Sequence, residues 1–309
     1  MSIPIVIFHV GYRDYLELAL KAAKKYNNDV VLIGDEANEK IWCDHFNVKD
    51  FNIFYEKSFP NIYNHLSDNS VEFEMLCFQR FFVIQEWMKK NEIHKIFMLD
   101  SDVLLFSELS KSIYSRFLQQ QDCIAALSIP KVQEPYKWAV FCHTSYWTYD
   151  GIKSFTDFCI STYKSNLELL QKKYEWHLSN QIVGGICDMT LLYLWSKEQK
   201  KIFNLAKVYE NTTIDTLITS SANWDVDEYD LNFLGIKHIK FQNGIPYSFN
   251  NKLGKDVAFL SIHCQGSAKK YMRFFANDHL RNFYQLAPFW HLVRPQRVRN
   301  KVKKMLNKI

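Results

Sequence analysis

Two pairs of carboxylates one residue apart stand out in the 309-residue chain, Asp100-Ser101-Asp102 and Asp225-Val226-Asp227. The pattern is common by chance, so its flanks must separate the two. The first pair follows the apolar run HKIFML (94–99) and runs straight into VLLF. Burying a carboxylate costs several kcal/mol unless its charge is compensated. At the carboxyl end of a parallel strand the compensation is commonly a cation or ligand held in the crevice. The second pair sits in NWDVDEYD (223–230) beside Glu228 and Asp230, where water can solvate it. Asp100 and Asp102 are therefore the chemically interesting pair. Their hard oxygens suit magnesium or manganese, and such a cation acts as a Lewis acid on a departing diphosphate.

A second segment, SIHCQGSAKKYM (261–272), carries His263, Gly266 and Lys269 as H-x-x-G-x-x-K after another apolar strand. A neutral imidazole at that strand end would complete the metal site and tilt its preference toward manganese. Gly266 admits a phosphate close to the backbone, and Lys269 offers it a point charge; the plain alternative is a surface turn with a basic residue. A third segment, VGGICDMTLLYLW (183–195), places Gly184 and Gly185 before Asp188 at the start of a helical stretch. Asp188 reads either as a helix N-cap or as an acid facing the site.

FMLDSDVLLF together with IHCQGSAKKY resembles the GT-A glycosyltransferases, and most closely glycosyltransferase family 8. Lys270-Tyr271 stand where that family usually has Pro-Trp. The resemblance implies an α/β, Rossmann-like nucleotide-diphospho-sugar transferase fold, with a mixed, mostly parallel sheet flanked by helices. It implies Mn2+ (or Mg2+) on Asp100, Asp102 and His263, with Ser101 in the same donor-binding loop and Gly266 and Lys269 on the diphosphate. Arg80, on the helix preceding Asp100, matches a donor-contacting arginine, or is an ordinary helix-surface residue. Asp188, with Gly184 and Gly185 ahead of it, would lie near the donor sugar, so Arg80 and Asp188 are the catalytic candidates. Gly11-Tyr12 matches the nucleoside loop, where Tyr12 either stacks on a base or simply packs. The implied activity is metal-dependent transfer of a hexose from a nucleotide sugar, a UDP-sugar first, with retention. Its acceptor would be a glycan or lipid-linked molecule, as in surface polysaccharide assembly. Two rivals remain. A nucleotidyltransferase would show a Gly-rich basic loop where this chain has HVGYRDY; a non-catalytic sugar-binding module would keep the scaffold alone.

The elements that must position these residues follow from periodicity. Residues 3–10, 29–33 and 94–99 are short apolar runs that read as buried strands, and 13–26 and 71–90 have helical spacing. This β-α-β opening predicts a parallel sheet. Further strands are expected at 123–128, 138–143 and 256–262, and helices at 151–171 and 188–200, with a less regular stretch after about 205. The seven cysteines form no C-x-x-C pair, and an odd number completes no disulfide set, so a reducing, cytoplasmic setting is expected. The start of the sequence, MSIPIVIFHVGYRD, does not read as a signal peptide.

The charge is uneven. Residues 294–309 hold seven basic and no acidic side chains, so of the net +5 the rest of the chain keeps about −2. A slightly acidic body argues against nucleic acid as a partner. In the tail, Val298, Val302, Met305 and Ile309 line one face opposite the Arg and Lys residues. That spacing predicts a basic amphipathic helix, either lying on an anionic membrane surface or docked on the protein. The expected division is a catalytic domain over 1–275 and a basic helical appendage over 276–309, cytoplasmic or peripheral at the inner face of the membrane.

Overall fold

A computed structural model describes residues 3–285 apart from 113, 115, 117, 119–121 and 282. The basic segment 294–309 lies outside the described residues, so the expected amphipathic helix is not addressed by it. No helix among the described residues is long and apolar enough to cross a membrane.

Side-chain alternation along the central strands divides the core into two layers. β1 (Ile5–Phe8), β2 (Val30–Gly34) and β4 (Lys95–Leu99) are buried on both faces. Ile5, Ile7, Leu32, Phe97 and Leu99 face α1 (Asp14–Tyr26) and a second sheet. Val6, Val31, Ile33, Ile96 and Met98 face three helices on the other side. These are α3 (Val71–Lys90), α4 (Tyr149–Ser165) and α6 (Asp188–Glu198), behind the short α2 (Ile53–Ser58). With β3 (His45–Asn47), β6 (Ala125–Ser128), β7 (Phe141–Thr148) and β8 (Ile202–Asn204), the strands form one sheet in the order β3-β2-β1-β4-β7-β6-β8. β3 to β4 run parallel, β7 is antiparallel to both neighbours, and β6 pairs parallel with β8. The fold class is thus α/β with a mixed, mostly parallel sheet flanked by helices.

Three expectations need correction. The helix expected over 151–171 is broken at Asn166, which ends α4 and precedes α5 (Leu167–Ser179). The strand expected at 138–143 begins at Phe141 and continues to Thr148 as β7. The stretch after 205 is also more regular than its polar sequence suggests. β9 (Thr212–Ile214), β10 (Lys240–Gln242), β11 (Ile245–Asn250) and β12 (Lys255–His263) build the second sheet. β5 (Val103–Leu105) is its edge, antiparallel to β12. Short strands of this kind are stabilised by tertiary pairing, which local pattern does not reveal. α7 (Lys269–Phe275) follows, and the buried Arg281 donates to the carbonyls of Phe275 (2.9 Å) and Gly244 (3.1 Å), tying the stretch after 275 to the body.

α5 carries a buried lysine with a measurable consequence. Lys173 donates to the Tyr136 carbonyl at 2.9 Å and to His177 Nε2 at 2.8 Å. Burial lowers its ammonium from 10.5 to about 8. Between those values the unfolded chain binds more protons than the folded one, so this residue makes stability rise as pH climbs from about 8 toward 10.5. The gain is up to about 3 kcal/mol. Urea unfolding across this range should show the rise in wild type and a flatter profile in Lys173→Met; parallel profiles would refute it.

Candidate functional site

The Asp100-Ser101-Asp102 turn is where the chain leaves one sheet for the other. β4 ends at Leu99 and pairs with β7; β5 begins at Val103 and pairs with β12. The Asp100 N–H donates to the His143 carbonyl at 2.8 Å, and the Val103 N–H closes the turn on the Asp100 carbonyl at 3.1 Å. In the β5–β12 ladder His263 lies directly opposite Val103, and the Cys264 N–H donates to the Asp102 carbonyl at 2.9 Å. Strand register is what brings residue 263 to residues 100 and 102.

One ligand atom from each of Asp100, Asp102 and His263 lies within 4.8 Å of the other two. The His263 Nδ1–H donates to the Thr216 carbonyl at 2.8 Å, leaving Nε2 to face Asp102 Oδ1 at 3.4 Å. A carbonyl on one ring nitrogen, with the other turned to the carboxylates, is how proteins present imidazole to metals. Two hard carboxylates and one oriented imidazole fit Mn2+, or Mg2+ less well.

Around this cluster opens a cavity of about 480 Å³. Lys269 Nζ stands 2.9 Å from Asp102 Oδ2 at its rim. Deeper in, Arg80 Nη1 donates to Asp100 at 2.6 Å and Nη2 to Asp188. Arg80 reaches inward because Ser70 caps α3, accepting the Phe73 N–H at 3.2 Å, and the helix then turns Cys77 and Arg80 toward the cavity. Arg80 is thus a site residue rather than a helix-surface one. Asp188 is not an N-cap: Cys187 holds that position, Asp188 is the first helical residue, and its carboxylate is engaged by Arg80. Glu74, Asp100, Asp102 and Asp188 outnumber Arg80 and Lys269 in the lining, an acidic excess that a divalent cation would offset.

The titrations reflect the same crowding. Burial pushes Asp100 up against the opposing pull of Arg80. Burial disfavours the Asp102 charge as well, yet His263 and Lys269 hold its carboxyl well below the usual range. Burial would lower His263, but its bond to Asp102 raises it. His143 goes strongly down through burial and the neighbouring His263, on which its ring stacks at 4.2 Å and 7°.

Of the other sequence candidates, Ser101 lines the cavity, and Gly11, Tyr12, Gly184, Gly185 and Gly266 fall around it. Gly11 takes a left-handed φ of 81° while its N–H donates to Asp35 Oδ2 at 2.9 Å. Tyr12 is half exposed and donates to Glu17 at 3.1 Å. Neither lines the cavity; His9 and Val10, just before them, do. Gly185 has φ +153°, and a Cβ there would lie 2.3 Å from the Leu66 carbonyl. The glycine lets 184–186 pair with 66–68 through Asp68 N–H to Gly184 O (3.2 Å) and Ile186 N–H to Leu66 O (2.8 Å). This loop pair forms the shoulder that delivers Cys187 and Asp188 to the cavity. Gly266 opens the turn into α7 with φ +58° and open space around it. Ser101 is turned to His9, Oγ to Nδ1 at 2.9 Å.

Sequence reading missed His9, Tyr15, His143 and Gln265 among the lining residues. His9 lies just past the end of β1, so the strand-end argument used for His263 would have found it. His143 lies inside β7, where nothing local marks it.

No family model matches the chain, and no curated protein matches it. Solved structures do. Mouse xyloside xylosyltransferase 1 in its apo form is 12% identical, with 66% of this chain and 84% of that one covered at a TM-score of 0.44. A glycosyltransferase involved in glycosylation of the major capsid of PBCV-1 is 10% identical, covering 87% and 98% at 0.43. The apo structure of WbbM, a bifunctional glycosyltransferase, is 10% identical, covering 87% of this chain and 47% of that one at 0.43. At such identities and TM-scores these likenesses carry no functional assignment.

Proposed function

We propose that this chain is a metal-dependent glycosyltransferase that takes a hexose from a nucleotide diphosphate donor, with UDP-galactose and UDP-glucose the first donors to try. One observation carries the reading: Asp100, Asp102 and His263 converge within 4.8 Å at the mouth of a cavity that also holds Lys269, Arg80 and Asp188. Bound there, a divalent cation supplies Lewis-acid neutralisation of the leaving diphosphate. Lys269 adds a point charge for the phosphates, and the open backbone at Gly266 lets them approach. Arg80 holds the Asp188 carboxylate oriented toward the cavity, where it can accept hydrogen bonds from sugar hydroxyls. The acceptor is a glycan or a lipid-linked sugar, and the family-8 resemblance favours retention.

The test is a thermal-shift panel of nucleotide sugars with and without Mn2+, followed by donor hydrolysis without acceptor. A matched donor at about 100 times its Kd adds about 2.7 kcal/mol of apparent stability. A shift that needs Mn2+ and nucleotide sugar together, with slow release of nucleoside diphosphate, supports the reading. Binding without release would identify a sugar-binding module instead, and no Mn2+-dependent shift with any donor would end the proposal.

A further inference from the structure

Beneath the metal cluster lies a buried ion pair that touches neither the cavity nor the cation position. Lys237 and Asp215 are both wholly buried, Nζ to Oδ1 at 2.7 Å. Burying two charges is expensive, and well-packed apolar residues often serve stability as well or better. The pair therefore invites the question of what it holds in place.

It holds the segment 215–217, and that segment holds both stacked histidines. Lys237 Nζ also donates to the Leu217 carbonyl at 2.7 Å, so one ammonium grips the segment at both ends. The second oxygen of Asp215 accepts the His263 N–H at 3.0 Å. The Asp215 carbonyl lies 2.8 Å from His143 Nε2, and the Thr216 carbonyl 2.8 Å from His263 Nδ1. Thr216 is pinned from behind by Asn223, whose Oδ1 accepts its N–H at 2.8 Å. Glu228 Oε2 in turn accepts the N–H groups of Asn223, Trp224 and Asp225. The acidic loop 223–230 thus serves as a brace for the chain behind the site.

We infer that the Asp215–Lys237 pair is a positioning device for the metal-binding histidine. It fixes the carbonyls of 215 and 216 so that His263 keeps its proton on Nδ1 and turns the Nε2 lone pair to Asp100 and Asp102. Asp215 and Lys237 thereby tune cation affinity without contacting cation or donor. A carbonyl partner selects the tautomer of a ligating imidazole, and loss of such outer partners typically costs about 10–100-fold in metal affinity. The inference rests on the metal-site reading above.

The experiment uses the full chain and Mn2+ alone, followed by the electron paramagnetic resonance signal of free Mn2+. Lys237→Met should weaken Mn2+ binding about 10–100-fold, and His263→Ala gives the reference for a lost ligand. Should Lys237→Met not fold, the double variant Asp215→Asn/Lys237→Met removes both charges and is expected to show the same weakening. Nitrogen-15 histidine spectra at alkaline pH should show His263 of the wild type as the Nδ1–H tautomer, and mixed tautomers in the variant. Wild-type Mn2+ affinity in either folded variant overturns the inference and leaves the proposed function standing. A wild-type His263 protonated on Nε2 overturns it even where neither variant folds. A wild type that binds no Mn2+ overturns both.

Discussion

Asp102→Asn is expected to lower Mn2+-dependent donor turnover by about 1000-fold, equivalent to about 4 kcal/mol of transition-state stabilisation. Asparagine keeps the shape of the side chain but loses the charge that is proposed to hold the cation and that meets both His263 at 3.4 Å and Lys269 at 2.9 Å. Two positive or polar groups then face a neutral amide, so metal and diphosphate positioning fail together. The contrast is Asp225→Asn in the other D-x-D. Asp225 bonds Lys131 at 2.6 Å, with a half-exposed lysine as its partner, and exposed pairs contribute about 0–1 kcal/mol. Turnover in Asp225→Asn should therefore match wild type. Kinetics at saturating Mn2+ decide it: near wild-type turnover in Asp102→Asn would remove residue 102 from the metal site.

A large effect on stability is expected from Arg80→Met. Its guanidinium bridges Asp100 at 2.6 Å and Asp188, and the Asp188 side chain is only 4% exposed. Breaking a buried ion pair by removing one partner costs about 3–5 kcal/mol, because the orphaned charge stays in low dielectric. Methionine refills the volume but leaves Asp188 unpaired. Adding Asp188→Asn in the same chain should recover a substantial part of the loss. Urea unfolding of the two single variants and the double completes the cycle. A loss below about 1 kcal/mol in Arg80→Met, of the size seen for exposed pairs, would refute the bridge. Donor turnover should fall in all three, since each loses either the Asp188 carboxylate or the guanidinium that orients it.

The legible parts of this molecule were those where local sequence and long-range structure agree. β1, α1, β2, α3 and β4 lie where periodicity places them, and the turn after β4 holds the acids as its flanks suggested. His263 was readable because it ends an apolar strand, although its meeting with Asp102 depends on the β5–β12 register, which no local pattern encodes. Asp215 and Lys237 were not readable at all. A lysine and an aspartate 22 positions apart carry no signal of burial, and each in isolation looks like surface. Gly184 and Gly185 are marked in the sequence by their place ahead of Asp188, but the reason Gly185 is needed, a carbonyl 2.3 Å from where a Cβ would be, lies in a loop far back in the chain.

Where the chain passes from the large sheet into the small one through Asp100-Ser101-Asp102, the two sheets are also stitched together by His143 Nε2 at 2.8 Å from the Asp215 carbonyl and Thr144 Oγ1 at 3.2 Å from Ser261 Oγ. Hinging the two sheets apart at the site would break these buried bonds, so this flank resists opening. The facing flank is held by a single isolated bridge between Ser67 and Gly185 and a few loop hydrogen bonds. Separating that shoulder costs fewer bonds than separating the stitched flank, so it is the side of the cleft that yields first, a door hung against a fixed jamb.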